Sequence, residues 1–292
     1  MKTSPECIPC LIRLATETVK RVTSDNTIIN TVIERTLILT KTMNMNTPPP
    51  KMGQLIHRIV AKETGNTDPC LEIKKQCNEI ALKLQPELKQ IVDKSPDRFL
   101  TAAKLSIAGN IIDFATPTEF SPEIMSDTIN ETLSNQVDSE SFKLLKKNIE
   151  EANKILYLGD NAGEIVFDRI FIEELPMDKI TFCVRGLPIL NDALMDDAKK
   201  SGLTSMVKVI DSGTDLPGII LDECSAEFNK CFNEADLIIA KGQGNFETLS
   251  LEKRPIYFLL TIKCPVVAGH VTEISGYSGV AKLGDTILYK KE

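Results

Sequence analysis

The stretch KILYLGDNAGEIVFD, residues 154–168, decides how the chain folds. Ile155, Leu156, Tyr157 and Leu158 form a near-continuous apolar run, which suits a strand covered on both faces, and the run stops at Gly159-Asp160-Asn161. Ala162-Gly163-Glu164, followed by Ile165, Val166, Ile170 and Phe171, reads as a turn feeding a helix. Strand, polar turn and helix make half of a βαβ unit, and open α/β sheets bind their ligands at the carboxyl ends of such strands. Asp160 and Asn161 therefore stand where chemistry is usually done. One charged and one neutral oxygen side by side suit a hard divalent cation that keeps positions for water or substrate oxygens; the other reading is that either residue caps the next helix.

Downstream the rhythm of strand, turn and helix continues. Strands are expected at 155–159, 179–184, 206–210, 236–240, 263–268 and 286–290, with helices between most of them. The fold class is α/β: a Rossmann-like, three-layer α/β/α domain over residues 153–292, with a mostly parallel, doubly wound sheet. Upstream, LIRLATETVKRV, IINTVIERTLILTKTM and GQLIHRIVAKETG repeat apolar residues at three or four, and Pro48-Pro49-Pro50 separates the second from the third. Residues 1–120 thus read as an N-terminal helical domain and 121–152 as a helical connection.

The composition narrows the function. Lys and Arg number 34 against 41 Asp and Glu, a formal charge of −7 with no long basic run, so neither nucleic acid nor an anionic membrane is an expected partner. No apolar run reaches the roughly 20 residues needed to span a bilayer, and MKTSPECIPC has no signal-peptide pattern, so a cytoplasmic location is expected. Eight cysteines spread along such a chain suit a reduced compartment. Cys7 and Cys10 form a CxxC that reads as half a zinc site or a redox pair, which Cys70 and Cys77 would have to complete.

The expected strand ends carry the polar clusters. In VRGLPILNDALMDDA, from Val184, Asp192 offers a third oxygen ligand beside Asp160 and Asn161, with Asn191 or Asp192 as a helix cap the other reading. Arg185 can offer a planar fork to phosphate or carboxylate. In KGQGNFETL, Gly242 and Gly244 let backbone N–H groups approach an anion, Lys241 adds a charge, and Asn245 closes the cluster. The run is no dinucleotide fingerprint, because Glu247 occupies the third glycine position. DSGTDLPG, from Asp211, reads as an exposed turn or a pocket-lining loop. In the helical half, the small, apolar segment from Phe99 to Ala115 must pack closely, and it presents Asn110 and Asp113 toward the crevice.

Taken together, GDNAGEIVFD, VRGLPILNDA, ADLIIAKGQGNFETL, CIPC, DPCLEIKKQCN, AGNIIDFA and KCPVVA resemble the archaeal and bacterial branch of the metal-dependent damage-control phosphatases, long filed as a domain of unknown function. The resemblance runs from Cys7 to about residue 285. It implies a metal held by Asp160, Asn161 and Asp192, with Mg²⁺, Mn²⁺, Co²⁺ or Ni²⁺ as the ion, and a phosphate contact from Lys241. Cys70 stands where the family usually has an aromatic residue. The implied function is hydrolysis of a small phosphorylated metabolite, a sugar phosphate or damaged phosphometabolite, with Asp160, Glu164 and Lys241 as catalytic residues and Glu164 placed to orient a water or a sugar hydroxyl. The substrate would meet Arg185, Lys241, Gly242, Gly244, Asn245, Asn110 and Asp113. Two other readings are an S-adenosylmethionine-dependent carboxyl methyltransferase and a non-catalytic zinc or redox module built on Cys7 and Cys10.

Overall fold

A computed structural model describes residues 1–109, 129–134, 139–275 and 281–291. The apolar runs build six strands, β1 (Ile155–Leu158), β2 (Ile180–Val184), β3 (Lys208–Asp211), β4 (Leu237–Lys241), β5 (Ile256–Thr261) and β6 (Thr286–Lys291). They form one sheet in the order β3-β2-β1-β4-β5-β6, parallel except for β6. β1 lies between β2 and β4, so the strand order reverses there, and the crevice at that reversal is where such sheets bind ligands. Asp160 and Lys241 flank it.

The expected strand at 263–268 is not one. Pro265 opens a helix, α11 (Pro265–Ser275), and the strand lies earlier, in Ile256–Thr261. Val266 and Val267 mimic a strand locally, but a proline with no N–H to give is well placed in a first helical turn, and Cys264 Sγ accepts the Val267 N–H at 3.5 Å. The strand alternates instead through IYFLLT: Tyr257 and Leu259 join the core on one face, Ile256, Phe258 and Leu260 the core on the other.

The helices divide among three cores. α1 (Cys7–Val22), α2 (Asn26–Thr42) and α3 (Pro49–Thr64) enclose their own, with Leu11, Ala15, Val32 and Ile56 at its centre. α4 (Leu71–Lys94), α5 (Arg98–Ala108), α6 (Ser139–Glu151) and α7 (Glu164–Ile172) cover one face of the sheet. α5 packs tightly on α7, where a Cβ at Gly109 would meet Phe167 at 2.9 Å. α8 (Met195–Lys200) follows β2; α9 (Ala226–Glu234), α10 (Gly242–Leu249) and α11 cover the other face through Phe228, Phe232, Phe246 and Val267. Two helices of the N-terminal half are therefore part of the sheet's own layer. The expected boundary at residue 120, with Asn110 and Asp113, lies outside the described residues. Among the described residues no helix is long and apolar enough to cross a membrane.

The α1–α3 unit is seated by charge. DSGTDLPG is no free turn: Asp215 takes Arg58 Nε at 2.7 Å and Nη2 at 2.6 Å together with Gln54 Nε2 at 2.7 Å, while Lys51 Nζ reaches Glu223 at 2.7 Å. Partial burial works against the Asp215 charge, yet the hydrogen bonds from Arg58 and Gln54 hold its carboxyl below the ordinary range. A depressed carboxylate stabilises the fold above its unfolded pKa, and the contribution is lost as pH falls through the lower folded value. We expect Asp215→Ala to remove about 1–2 kcal/mol of unfolding free energy at neutral pH, measured in urea, with the deficit closing in acid. A deficit that persists unchanged in acid would separate the loss from this ion pair.

Candidate active site

Backbone pairing assembles the site. Ala162 N–H bonds to Asn191 O at 2.9 Å and Ala193 N–H to Asp160 O at 2.8 Å, so Asn161 and Asp192 face each other as an isolated antiparallel bridge. With both hydrogen bonds flanking the pair, this is the close type of antiparallel pairing, which brings side chains nearest. Leu190 makes it possible: it adopts a left-handed backbone with φ 44°, unusual for leucine, in a turn closed by Asp192 N–H to Ile189 O at 3.1 Å. Neither pair of residues caps a helix. The Gly163 N–H at the head of α7 is met by Asn78 Oδ1 of α4 at 2.8 Å, and the residue that caps α8 is Leu194, whose N–H meets Asp197 Oδ2 at 2.8 Å.

The three expected ligands are buried with their oxygens partly committed. Asn161 Nδ2 donates to Asp160 Oδ2 at 2.9 Å and to Glu164 Oε2 at 3.0 Å. Both partners are carboxylate oxygens, so the amide nitrogen must face them and Oδ1 is left for another partner. Arg185 is not on the surface. Its Nε gives a 2.6 Å bond to Asp192 Oδ2, Nη2 lies 3.6 Å from Asp160 Oδ1, and Nη1 reaches Gly218 O at 3.4 Å. Gly242, with φ 77°, lets the Asp160 carboxylate lie against its Cα: a Cβ there would come within 1.9 Å of Oδ2.

Charge is out of balance around these groups. Burial, then the charges of Asp192 and Glu164, push the Asp160 carboxyl well above the usual range against the pull of Arg185 and Lys241. Burial also raises Glu164 and Asp192. Counted as ionised, Asp160, Glu164, Asp168 and Asp192 are opposed here by Arg185 and Lys241, while the nearby Lys74 is paired with Asp68, which leaves the cluster two positive charges short of neutral. One divalent ion has that charge, and Asp160, Asn161 Oδ1 and Asp192 Oδ1 are the hard oxygens that suit it. Among the described residues no three of His, Cys, Asp and Glu are grouped to hold a metal. The donor set of Asp160, Asn161 and Asp192 suits an ion although it is no such group, because an asparagine is its third member.

Sequence reasoning puts Lys241 on the phosphate. In the folded chain its ammonium is fully buried, with Ser106 O at 2.8 Å, Glu164 Oε1 at 2.9 Å and Asp168 Oδ1 at 2.6 Å. Its three donors are thus spent. Asp168 Oδ1 also accepts from Tyr157 at 2.8 Å and Ser106 Oγ at 2.7 Å. Asn245 is buried as well, holding the ends of β1 and β4 together through Gly159 O at 3.2 Å and Lys241 O at 2.8 Å. Gly244 packs so close to the loop after β3 that a Cβ would meet Pro217 O at 2.2 Å.

A cleft of about 310 Å³ opens above Asp160, Asn161 and Asp192, between the strand ends and the helical half. α1 contributes Leu11, Leu14, Glu17, Thr18 and Arg21 to it, α3 contributes Pro49, Pro50 and Gly53, and Cys70 and Ile73 stand at the head of α4. Cys70, the departure from the family pattern, is buried in this wall and lies 3.5 Å from Arg21 Nη1. Gln243, Glu247 and Lys263 line the opposite side. These three, Arg21 and Asn78 were missed from sequence; for Lys263 the signal was its place just past the carboxyl end of a strand, obscured by the misplaced β5.

Known proteins resemble this chain over most of its length. The family model for the damage-control phosphatase ARMT1-like domain matches residues 3–277. Damage-control phosphatase PH1575 of Pyrococcus horikoshii is 39% identical over 92% of this chain and 93% of its own length. A damage-control phosphatase of Archaeoglobus fulgidus is 36% identical over 92% and 94%. The crystal structure of a DUF89 family protein from Pyrococcus horikoshii superimposes with a TM-score of 0.89 at 36% identity, covering all of both chains. A match across nearly the full sequence, relatives aligned over almost their whole length and the same fold from end to end show that this chain belongs to the ARMT1-like damage-control phosphatase family.

Proposed function

We propose that this chain is a divalent-metal-dependent phosphatase that hydrolyses small phosphate monoesters, sugar phosphates or damaged phosphometabolites. The observation that carries the reading is the Asn161–Asp192 bridge, which gathers Asp160, Asn161 and Asp192 at the sheet's reversal point in a cluster short of two positive charges. Mg²⁺, Mn²⁺, Co²⁺ and Ni²⁺ all accept such a donor set, and a bound ion would polarise the phosphoryl oxygens and offset the charge that builds on them. Arg185 holds Asp192 and Asp160 in register, and its Nη2, which lacks a hydrogen-bond partner among the described residues, is the donor a phosphoryl oxygen beside Asp160 would meet. Gly244 keeps the first turn of α10 open to the cleft.

Lys241 acts through its neighbours. By fixing Glu164 Oε1 it turns Oε2 toward Asn161 Nδ2, which aims Asn161 Oδ1 away from both carboxylates. Glu164 and Lys241 are then positioning residues, and the phosphate is left to Arg185 and the groups lining the cleft. The relatives are named phosphatases, and a carboxylate-rich crevice calls for a cation, so hydrolysis is favoured over methyl transfer.

Asp160→Ala should abolish turnover of p-nitrophenyl phosphate in added Mn²⁺ or Co²⁺ with an unchanged circular dichroism spectrum; a rate near wild type would remove Asp160 from the reaction. Gly242→Ala forces the Asp160 carboxylate off its seat and should weaken Mn²⁺ binding in calorimetry by about tenfold or more, whereas wild-type affinity would show that this contact does not fix the ligand. Lys241→Met leaves Glu164 and Asp168 buried without their cation, which should lower unfolding stability by about 3–5 kcal/mol. Metal affinity and kcat should fall together in that variant and recover in part with excess ion. Lost substrate affinity at unchanged metal affinity would instead put the ammonium on the phosphate.

A further inference from the structure

We propose that Lys74 of α4 is a phosphate-binding residue of this site, its buried ammonium donating to a phosphoryl oxygen of the ester that enters the cleft beside Asp192. The proposal rests on the phosphatase reading above and gives the site the lysine that Lys241 does not supply. Lys74 is 2% exposed, and its one hydrogen bond among the described residues runs from Nζ to Asp68 Oδ2 at 2.7 Å. An ammonium has three N–H groups, so two remain to be given. Lys241 is the contrast within the same molecule: also buried, it spends all three on Ser106, Glu164 and Asp168. Burying a cation costs several kcal/mol unless partners replace its water, and for Lys74 a single carboxylate, itself partly exposed, does so. Asp68 in turn spends its carboxylate on nothing else, since its Oδ1 is buried without a hydrogen-bond partner among the described residues. It is the positioning residue that holds the ammonium in place.

Helix geometry brings Lys74 to the site. Residues three and four apart share a helix face. On this face Cys70 and Ile73 line the cleft together with Asp160, Asn161 and Asp192. One turn beyond Lys74, Asn78 donates to Asp197 Oδ1 at 2.7 Å and accepts the Gly163 N–H at 2.8 Å. Lys74 thus lies where the face passes from the cleft wall to the segments that follow Asn161 and Asp192. Burial raises the Asp192 carboxyl, and the charges of Arg185 and then Lys74 draw it back, yet Lys74 and Asp192 make no hydrogen bond with each other among the described residues. An ammonium that acts on Asp192 by charge without being bonded to it keeps its donors for an anion arriving at that side of the cleft. Arg185 reaches the same place from the end of β2, so a phosphate there would be held between a cation of the sheet and a cation of the helical half.

The test measures inorganic phosphate binding to the Mn²⁺-loaded protein by calorimetry, beside Mn²⁺ binding itself and steady-state turnover of p-nitrophenyl phosphate. Lys74→Met should weaken phosphate binding by about tenfold or more, the share of one charge-assisted hydrogen bond, and raise KM with it. Mn²⁺ affinity should stay within about twofold of wild type. Lys74→Arg, which keeps a charged donor, should recover most of the loss. Because Lys74→Met strips Asp68 of its cation, the pair Asp68→Asn with Lys74→Gln, which buries no charge, is measured alongside and should show the same loss. Phosphate affinity that is unchanged in these variants, or that falls only in step with Mn²⁺ affinity, overturns the assignment, and so does a wild-type protein that binds no phosphate in the presence of Mn²⁺. A wild-type protein that binds phosphate yet turns over no phosphate ester fails the phosphatase reading alone, and phosphate affinity then decides the role of Lys74.

Discussion

Four buried carboxylates, Asp160, Glu164, Asp168 and Asp192, share one region with two buried cations, Arg185 and Lys241, and the rest of the site answers to that imbalance. Removing charge from water costs several kcal/mol per ion unless good partners replace the solvent. Each cation is therefore split between two acids, and three of the acids also take neutral donors: the Asn161 amide for Asp160 and Glu164, Tyr157 and Ser106 for Asp168. Of the four acids, Asp160 and Asp192 are the two that line the cleft. A fold optimised only for stability would have placed another cation or an apolar pair there; keeping the deficit is consistent with a group that arrives from solution.

Topology decides where that deficit sits. Parallel strands end with their carboxyl termini on one edge, and the reversal of strand order beside β1 leaves a crevice there. Two backbone departures then aim the oxygens. Leu190 accepts a left-handed conformation so that Asp192 can lie opposite Asn161, and Gly242 gives up a Cβ so that the Asp160 carboxylate can lie against the start of α10. Strain of this kind costs of order 1–3 kcal/mol at a residue such as Leu190 and persists only where the surroundings over-determine it. The flanking hydrogen bonds of the bridge supply that constraint.

Much of this was legible in residues 154–168, because a doubly buried strand leaves a continuous apolar run and its end is marked by Gly159 and two polar residues. Asp192 was legible too, as an acid after a Gly-Pro turn. KCPVVA was not, since two valines carry the same β-branched signal at the start of a helix as within a strand, and only Pro265 spoke for the helix. That local ambiguity moved a strand end and hid Lys263. Lys241 was found but given the wrong surroundings: its partners Ser106, Glu164 and Asp168 come from α5 and α7, and no local pattern reveals a meeting of residues 106, 168 and 241. Asn78 was hidden for the same reason, being an ordinary polar residue of an amphipathic helix until α7 is docked on it.

Those long-range contacts also show why the helical half is more than a cover. Ser106 lies in the last turn of α5, where carbonyls have no partner within the helix, and its oxygen accepts the Lys241 ammonium. A cation at a helix C-terminus is favoured by the helix dipole as well. α5 thus completes the coordination of the lysine that holds Glu164, and α4 satisfies the head of α7 through Asn78, so both helices contact the site's supports from below. α1 and α3 meet the same site from above, along the cleft, and are seated on the loop after β3 by Arg58, Gln54 and Asp215. A displacement of the α1–α3 unit would change the size of the cleft and leave Asp160, Asn161 and Asp192, the proposed ligands, in place. A displacement of α4 or α5 would loosen Asn161 through Glu164, so the two parts of the helical half govern substrate fit and ligand geometry separately.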